Sequence, residues 1–376
     1  TNAESSAASD VYKRQDIDRR KLREALTELG DSLVLAGTKR KAKIHIHVDE
    51  PEMVFEAARV YGEVSAEKAD DMHRQQHATH GDRARFAVIV DSAADISDED
   101  MERLDIHMVP CRVQFGEHGY LDKVGITIDE FYSELKTNPH HPTTSQPSPG
   151  DFRRQFQFLA SHFDDVISIN VMSGASGTYD AACLAASRTD AHGKIHVVDS
   201  RNGSLGQGQL AVLAAECAEA GLDAEQTVAI VEEHVPKTAT YIVLNDLRYA
   251  VRGGRLPKWV KTMADVLRLT PIIYTTPEGN LRLGGVLLGR HKAIERFARH
   301  VARKAPEGPL EVGIGHAICE DDAKVLEQHL RELLPNIRRS VINGVSPAIG
   351  VHGGPKLLLV SMKPFVSAED LARRTD

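Results

Sequence analysis

Four side chains that can donate hydrogen bonds without carrying charge stand in a row at Thr143, Thr144, Ser145 and Gln146, inside the segment HPTTSQPSPGDF. Such groups suit a ligand whose oxygens need donors, a carboxylate among them. The residues that follow have a local role. Ser148 suits a helix N-cap, Pro149 the first helical position, and Asp151 sits three residues after the cap. Phe152, Phe156, Leu159 and Phe163 then recur at helical spacing. A helix accounts for Ser148 onward and leaves the four donors before it unexplained. A second hydroxyl pair, Ser173 and Ser176, lies in VISINVMSGASGTYDAACLAA, beside Gly174 and Gly177. An apolar strand, a glycine-bearing turn and a helix follow one another here. A helix N-terminus offers unpaired N–H groups and a positive dipole end, which bind carboxylates and phosphates. The alternative is that Ser176 only caps its helix.

Other chemistries find less support. A nucleophile elbow requires G-x-S-x-G, and Thr178 stands where the last glycine belongs. A hydrolase built on Ser176 or Ser173 would also need a base in reach, and His352 in GVHGGPK, placed in a glycine-rich turn, is the one attractive candidate. Gly203, Gly206 and Gly208 run G-x-x-G-x-G, the reverse of a dinucleotide fingerprint, and read as a tight strand-to-helix entry. No P-loop motif occurs. RYAVRGGRLPKW sets Arg248, Arg252 and Arg255 around a glycine pair, where they can hold an anion, meet an acidic partner, or end a solvated helix. His73, His77 and His80 in a polar stretch read as a solvated face rather than a metal site.

The elements that must position these residues are legible in outline. The chain has 376 residues, 41% of them hydrophobic, enough for two or three domains. A net charge of -8 with dispersed basic residues argues against a nucleic-acid surface. Four scattered cysteines fit neither a zinc pattern nor a disulfide framework and point to a reducing cytoplasm. No apolar run reaches the ~20 residues of a transmembrane helix, and no signal peptide is seen. Residues 1–15 read as a disordered tail or scar. Residues 16–80 read as a small fragment with one strand, KAKIHIHVD, and two helices, followed by the linker MHRQQHATHGDRAR. From Phe86, FAVIV, VISINV and KIHVV alternate with helical stretches, as in a parallel sheet buried on both faces. This gives an open α/β lobe over residues 86–236. A mixed α+β lobe follows over 237–370, with a hairpin turning at Gly279-Asn280. Two-lobed α/β chains bind small ligands beyond strand ends or between lobes.

Taken in order, VIVDSAADI, TTSQPSPGDF, SGASGTYDAA, VVDSRNGSLGQG, RGGRL, GRHKAI and IGVHGGP resemble the DegV family of bacterial fatty-acid-binding proteins over about 280 residues, from 86 to 364. The resemblance implies a two-lobed α/β fold that buries one long-chain fatty acid and holds its carboxylate at the lobe interface. It assigns the carboxylate to Thr144 and Ser176, with Ser145, Gly177 and His352 nearby, and places Arg255 and Arg290 in the head-group region or at a kinase-docking face. Residues 16–78 are similar to part of the dihydroxyacetone-kinase-like component of bacterial fatty acid kinase. There, an H-x-H pair, here His45 and His47, is linked to a metal; strand alternation alone also puts the two on one face. The implied protein is a cytoplasmic carrier, not an enzyme on its own, the C-terminal part of a kinase–carrier fusion. It presents a fatty acid to a kinase that supplies ATP and Mg. It uses neither nucleic acid nor stable membrane insertion. The competing expectation is a serine hydrolase using Ser176 with His352.

Overall fold

The structure is a computed structural model that describes residues 5–12, 19–37, 41–48, 51–71, 86–191, 193–267, 269–288 and 292–374. The chain forms two compact units, residues 1–83 and 84–376. The first contains β1 (Ser5–Tyr12), α1 (Arg19–Thr27), β2 (Asp31–Gly37), β3 (Lys41–Val48), α2 (Pro51–Arg59) and β4 (Glu63–Asp71). Its strands form one sheet in the order β2-β3-β1-β4. Leu22 and Leu26 of α1 and Val54, Phe55 and Ala58 of α2 pack with Ile46 and Val48 into a small core. This corrects two expectations. Residues 5–12 are a strand, not a tail, and the unit has four strands rather than one. β1 reads SSAASDVY, so it carries almost no hydrophobic signal. It is held by ladders to β3 on one side and β4 on the other. The linker proposed for residues 72–85 lies outside the described residues.

The second unit begins with β5 (Phe86–Asp91), α3 (Asp98–Arg103), β6 (Ile106–Val109), β7 (Arg112–Phe115), β8 (His118–Leu121), α4 (Ile128–Thr137), β9 (Thr143–Ser145) and α5 (Pro149–Ala160). It continues with β10 (Asp165–Asn170), α6 (Thr178–Ala186), β11 (Ile195–Asp199), α7 (Leu205–Glu219) and α8 (Ala224–His234). The sheet β11-β10-β5-β6 is parallel throughout. All six residues of β5 are buried, as its continuous apolar run requires when helices cover both faces. The connection from β5 to β6 and that from β10 to β11 run in opposite directions across the sheet. The loops after β5 and β10 therefore diverge and leave a crevice at their carboxyl ends. Ser148 caps α5 with the expected box: its hydroxyl accepts from the Asp151 N–H, and the Asp151 carboxylate accepts from the Ser148 N–H.

The remaining elements are β12 (Ala239–Val243), α9 (Arg248–Arg252), α10 (Lys258–Leu267), β13 (Leu269–Thr275), β14 (Leu281–Leu288), α11 (Ala293–Ala302), β15 (Leu310–His316), α12 (Glu320–Leu333), β16 (Ile337–Gly344), α13 (Pro347–Gly353), β17 (Leu358–Pro364) and α14 (Ala368–Ala372). They build a six-stranded sheet, β14-β13-β12-β17-β15-β16. The lobes are not separable at residue 236. Helix α7 is buried over twelve of its fifteen residues and packs on β5 and β10 of one sheet and on β15 and β17 of the other. Gly206 allows this approach, since a Cβ there would lie 2.5 Å from Thr240 Oγ1. That accounts for the glycine spacing of DSRNGSLGQG as helix packing. Leu371 of α14 returns to Leu213, Cys217 and Ile230 of the first lobe. In the other direction, Val113, Phe115, Phe131 and Tyr132 share a core with Leu244, Val351 and Leu359 of the second. No described helix is long and apolar enough to cross a membrane.

Candidate functional site

A cavity of about 400 Å³ opens at the carboxyl ends of β5 and β10 and runs against the second sheet. Its first wall comes from the loops after β5, β10 and β11, through Ala93, Met172, Ser176 and Ser204. The opposite wall is aliphatic, from Ile242, Leu244, Leu256, Ile273, Leu281 and Leu359. Strand register sorts the hydroxyl row. β9 pairs with β7 so that Thr144 lies opposite Val113, which is fully buried. Alternation then turns Thr144 inward and leaves Thr143 and Ser145 exposed. Thr144, Ser145, Gln146 and Ser176 all border the cavity. The two segments meet at Gly177, where a Cβ would fall 2.6 Å from the Gln146 side chain.

Thr144 Oγ1 lies 2.9 Å from His352 Nε2. His352 sits near the end of helix α13, not in a turn as its glycine neighbours suggest. Burial, with the charges of Arg255 and His141 added, pushes its pKa down to about 4, so the imidazole is neutral at pH 7. Its Nδ1 is buried without a hydrogen-bond partner among the described residues. It packs on Gly253, where a Cβ would come within 2.1 Å of it. This contact explains the first glycine of the RGGR motif, and a φ of +75° explains Gly254.

Ser176 does not cap α6. The N-cap is Gly177, without a side-chain bond. Ser176 Oγ lies 2.7 Å from Thr178 Oγ1 and accepts weakly from the Thr178 N–H at 3.3 Å. Arg255 lines the cavity beside this turn. Its Nε and Nη2 donate to the Ala175 carbonyl at 3.2 and 2.9 Å, and Nη1 donates to the Gly253 carbonyl at 2.6 Å. The guanidinium therefore ties the Ser176 turn of one lobe to the His352 region of the other. Arg248 is engaged by Asp246 at 2.6 Å, so the three arginines of this segment do not form one anion site. Arg290 lies outside the described residues. His45 and His47 sit two apart on β3, in register with Ala8 and Ser6 of β1; their side chains, and with them the suggested metal site, lie outside what is described.

The geometry offers little to a hydrolase. Ser176 is bonded to Thr178 rather than to His352, and no described carboxylate bonds to His352 to orient it or to stabilise its cation. Ser173 Oγ donates to Asp199 at 2.6 Å, with no histidine between them. The residues missed from sequence are those of the aliphatic wall and Cys111, which also borders the cavity. Their pattern is that of ordinary core.

The profile described as an uncharacterised protein of the DegV family matches residues 85–364. The profile of the FakA-like middle domain of fatty acid kinase matches residues 6–79. A DegV domain-containing protein of Caldanaerobacter subterraneus is 33% identical over 272 residues, which are 72% of this chain and 96% of that protein. Among solved structures, the Bacillus subtilis DegV, described as a fatty acid binding protein, superposes with a TM-score of 0.67 at 30% identity, over 75% of this chain and 99% of its own. The structure reported for fatty acid binding of a Thermus thermophilus DegV family protein gives 0.68 at 27%, over 75% of this chain and 100% of its own.

Proposed function

The chain belongs to the DegV family, and on that premise we propose that it binds one long-chain fatty acid and presents its carboxylate to a kinase. The observation that carries this reading is the distribution of polarity in the cavity. One wall is aliphatic, and neutral donors gather where Thr144, Ser176 and His352 meet. An acyl chain gains about 0.8 kcal/mol for each methylene it buries. The head group is an anion that neutral hydroxyls can hold without a buried countercharge. His352, neutral, donates its Nε2–H to Thr144 Oγ1, which leaves the Thr144 hydroxyl hydrogen for the carboxylate. Ser176 supplies the second hydroxyl. Arg255 holds the Ser176 turn in place while adding positive charge at the head-group end.

This role asks no catalytic base of the carrier. Transfer of a phosphoryl group is largely positioning and electrostatics, so a carrier can leave ATP, Mg and catalysis to its partner. The kinase-like middle domain at residues 6–79 supports that partnership. Organic extraction and mass spectrometry of the purified protein tests the reading. A fatty acid in near-stoichiometric amount is expected. Recovery of no lipid, together with no uptake of a labelled fatty acid after delipidation, overturns it.

A further inference from the structure

Behind the cavity wall lies a cluster of buried charge that the proposed binding site does not use. Asp91, Asp95 and Asp122 are each 0 or 1% exposed, and the one lysine among them is Lys123. Their hydrogen bonds are unequal. Asp91 accepts from the Ala93 and Val171 N–H groups and from Gln207 Nε2. Asp95 accepts from Ser204 Oγ at 2.5 Å and the Ser346 N–H at 2.9 Å, and pairs with Lys123 Nζ at 3.3 Å. Lys123 also donates to the Ala94 carbonyl at 2.7 Å. Asp122 accepts one short bond, from Ser92 Oγ at 2.6 Å, with the Ala348 N–H as a weaker neighbour. Its Oδ1 has no well-formed hydrogen bond among the described residues. Burial raises the pKa of Asp91 and Asp122 alike, but Asp91 has three N–H donors to offset it, whereas Asp122 has one short bond and an Oδ1 with no well-formed partner among the described residues.

The cluster sits where the lobes join. Ser92 and Asp95 follow β5, Ser204 precedes α7, and Ser346 precedes α13, the helix that carries His352. Ser204, Cys111 and Ala348 of these segments border the cavity directly. The groups facing Asp122 are Asp95 and Lys123 from the loops, Cys111 before β7, which also feels Asp91 at the end of β5, and Tyr132 from α4, whose buried hydroxyl has no partner among the described residues. Apart from Lys123, all of these are neutral or negative at neutral pH.

We propose that Asp122, with Ser92, Asp95 and Lys123, forms a proton-controlled latch on the cavity wall. With the proton in place, Asp95 keeps the Ser346 N–H and α13 stays docked. When Asp122 loses its proton, a second carboxylate charge appears beside Asp95, and Lys123 is already committed. Repulsion between them weakens the Asp95–Ser346 tie, α13 loosens, and a bound lipid exchanges faster. Burial raises the Asp122 pKa to about 7, which sets this change near neutrality.

The latch rests on the fatty-acid reading only for the identity of what it retains, so the test has two arms. The first needs no ligand. Carboxyl carbon NMR of the whole chain should show Asp122 titrating near neutrality, and a midpoint below pH 5 overturns the latch. Amide-exchange protection factors over residues 346–353 should fall between pH 6 and 8.5, and protection that holds constant overturns it as well. The second arm follows release of cis-parinaric acid over the same range. The release rate should rise about tenfold in the wild type and stay flat in Asp122→Asn. An equal slope in both refutes the role of Asp122. Should Asp122→Asn fail to fold, Ser92→Ala removes the short hydrogen bond to that carboxylate and should move the NMR midpoint upward; an unmoved midpoint refutes the proposal. If parinaric acid does not bind while the first arm behaves as expected, the latch stands and the fatty-acid reading falls.

Discussion

Replacing Thr144 by valine isolates one hydroxyl. Valine keeps the branch, the volume and the strand preference, so β9 and its ladder to β7 should survive. In the proposed complex the Thr144 hydroxyl donates to an ionised carboxylate, and such bonds contribute about 1.5–3 kcal/mol. At about 1.4 kcal/mol per decade, affinity for a C16 acid should fall about 10- to 100-fold. A second cost is separable. His352 Nε2 loses its partner at 2.9 Å, in the free and the loaded protein alike. That loss should lower folding stability by about 1–3 kcal/mol but largely cancel from the affinity. Delipidated protein titrated calorimetrically with hexadecanoate and with hexadecanol separates the two. The alcohol lacks the charge and should lose only a few-fold. If the variant binds the acid within threefold of the wild type, or if acid and alcohol lose equally, Thr144 does not hold the carboxylate.

Ser176→Ala should cost a similar 10- to 100-fold in acid affinity by titration, and the double variant should lose less than the sum of the two, because both hydroxyls act on one group. Ser148→Ala breaks the capping box of α5 and should cost about 1 kcal/mol in urea unfolding while acid affinity stays near wild type. The pH dependence of stability carries a signature of His352. Its folded pKa is below the ordinary 6.5, so its contribution is fully present above pH 6.5 and is lost as pH falls toward about 4, at most about 3 kcal/mol. Asp122, raised to about 7, works in the opposite sense: its contribution is full below pH 3.8 and is lost as pH rises through 7. Other histidines with lowered pKa values act in the same sense as His352. His352→Gln should therefore gain less stability than the wild type as pH rises from 4.5 to 6.5, and urea midpoints that instead track the wild type at every pH refute the His352 contribution.

How much was legible in the sequence depended on which physical signal each residue carries. FAVIV and VISINV announce buried parallel strands because β-branched runs have few other uses. β1 is built of serine and alanine and announces nothing; only its two neighbours make it a strand. The hydroxyl row advertised donors and the family resemblance singled out Thr144; the physical reason that Thr144 rather than Thr143 turns inward is its register with Val113, a long-range fact. GVHGG looked like a turn because glycines usually break helices. Here Gly350 lets the α13 backbone press on Tyr132, where a Cβ would come within 2.7 Å of the hydroxyl. Ile273 and Leu359 border the cavity, yet nothing in their pattern distinguishes a wall from a core. The lobe cut at residue 236 separates the sheets but not the packing, because the residues that bridge it lie inside α7.

That shared helix bears on how the second unit melts. A strut buried against both sheets couples the core of each lobe to the other, so residues 84–376 should lose structure in a single cooperative event. Occupancy of the cavity is then felt by the whole unit. A ligand held at a hundred times its dissociation constant adds about 2.7 kcal/mol to everything that unfolds with the site. A loaded preparation and a stripped one should differ by a shift of one calorimetric peak, not by the appearance of a second. The midpoint of that peak becomes a gauge of cargo that can be read without a label.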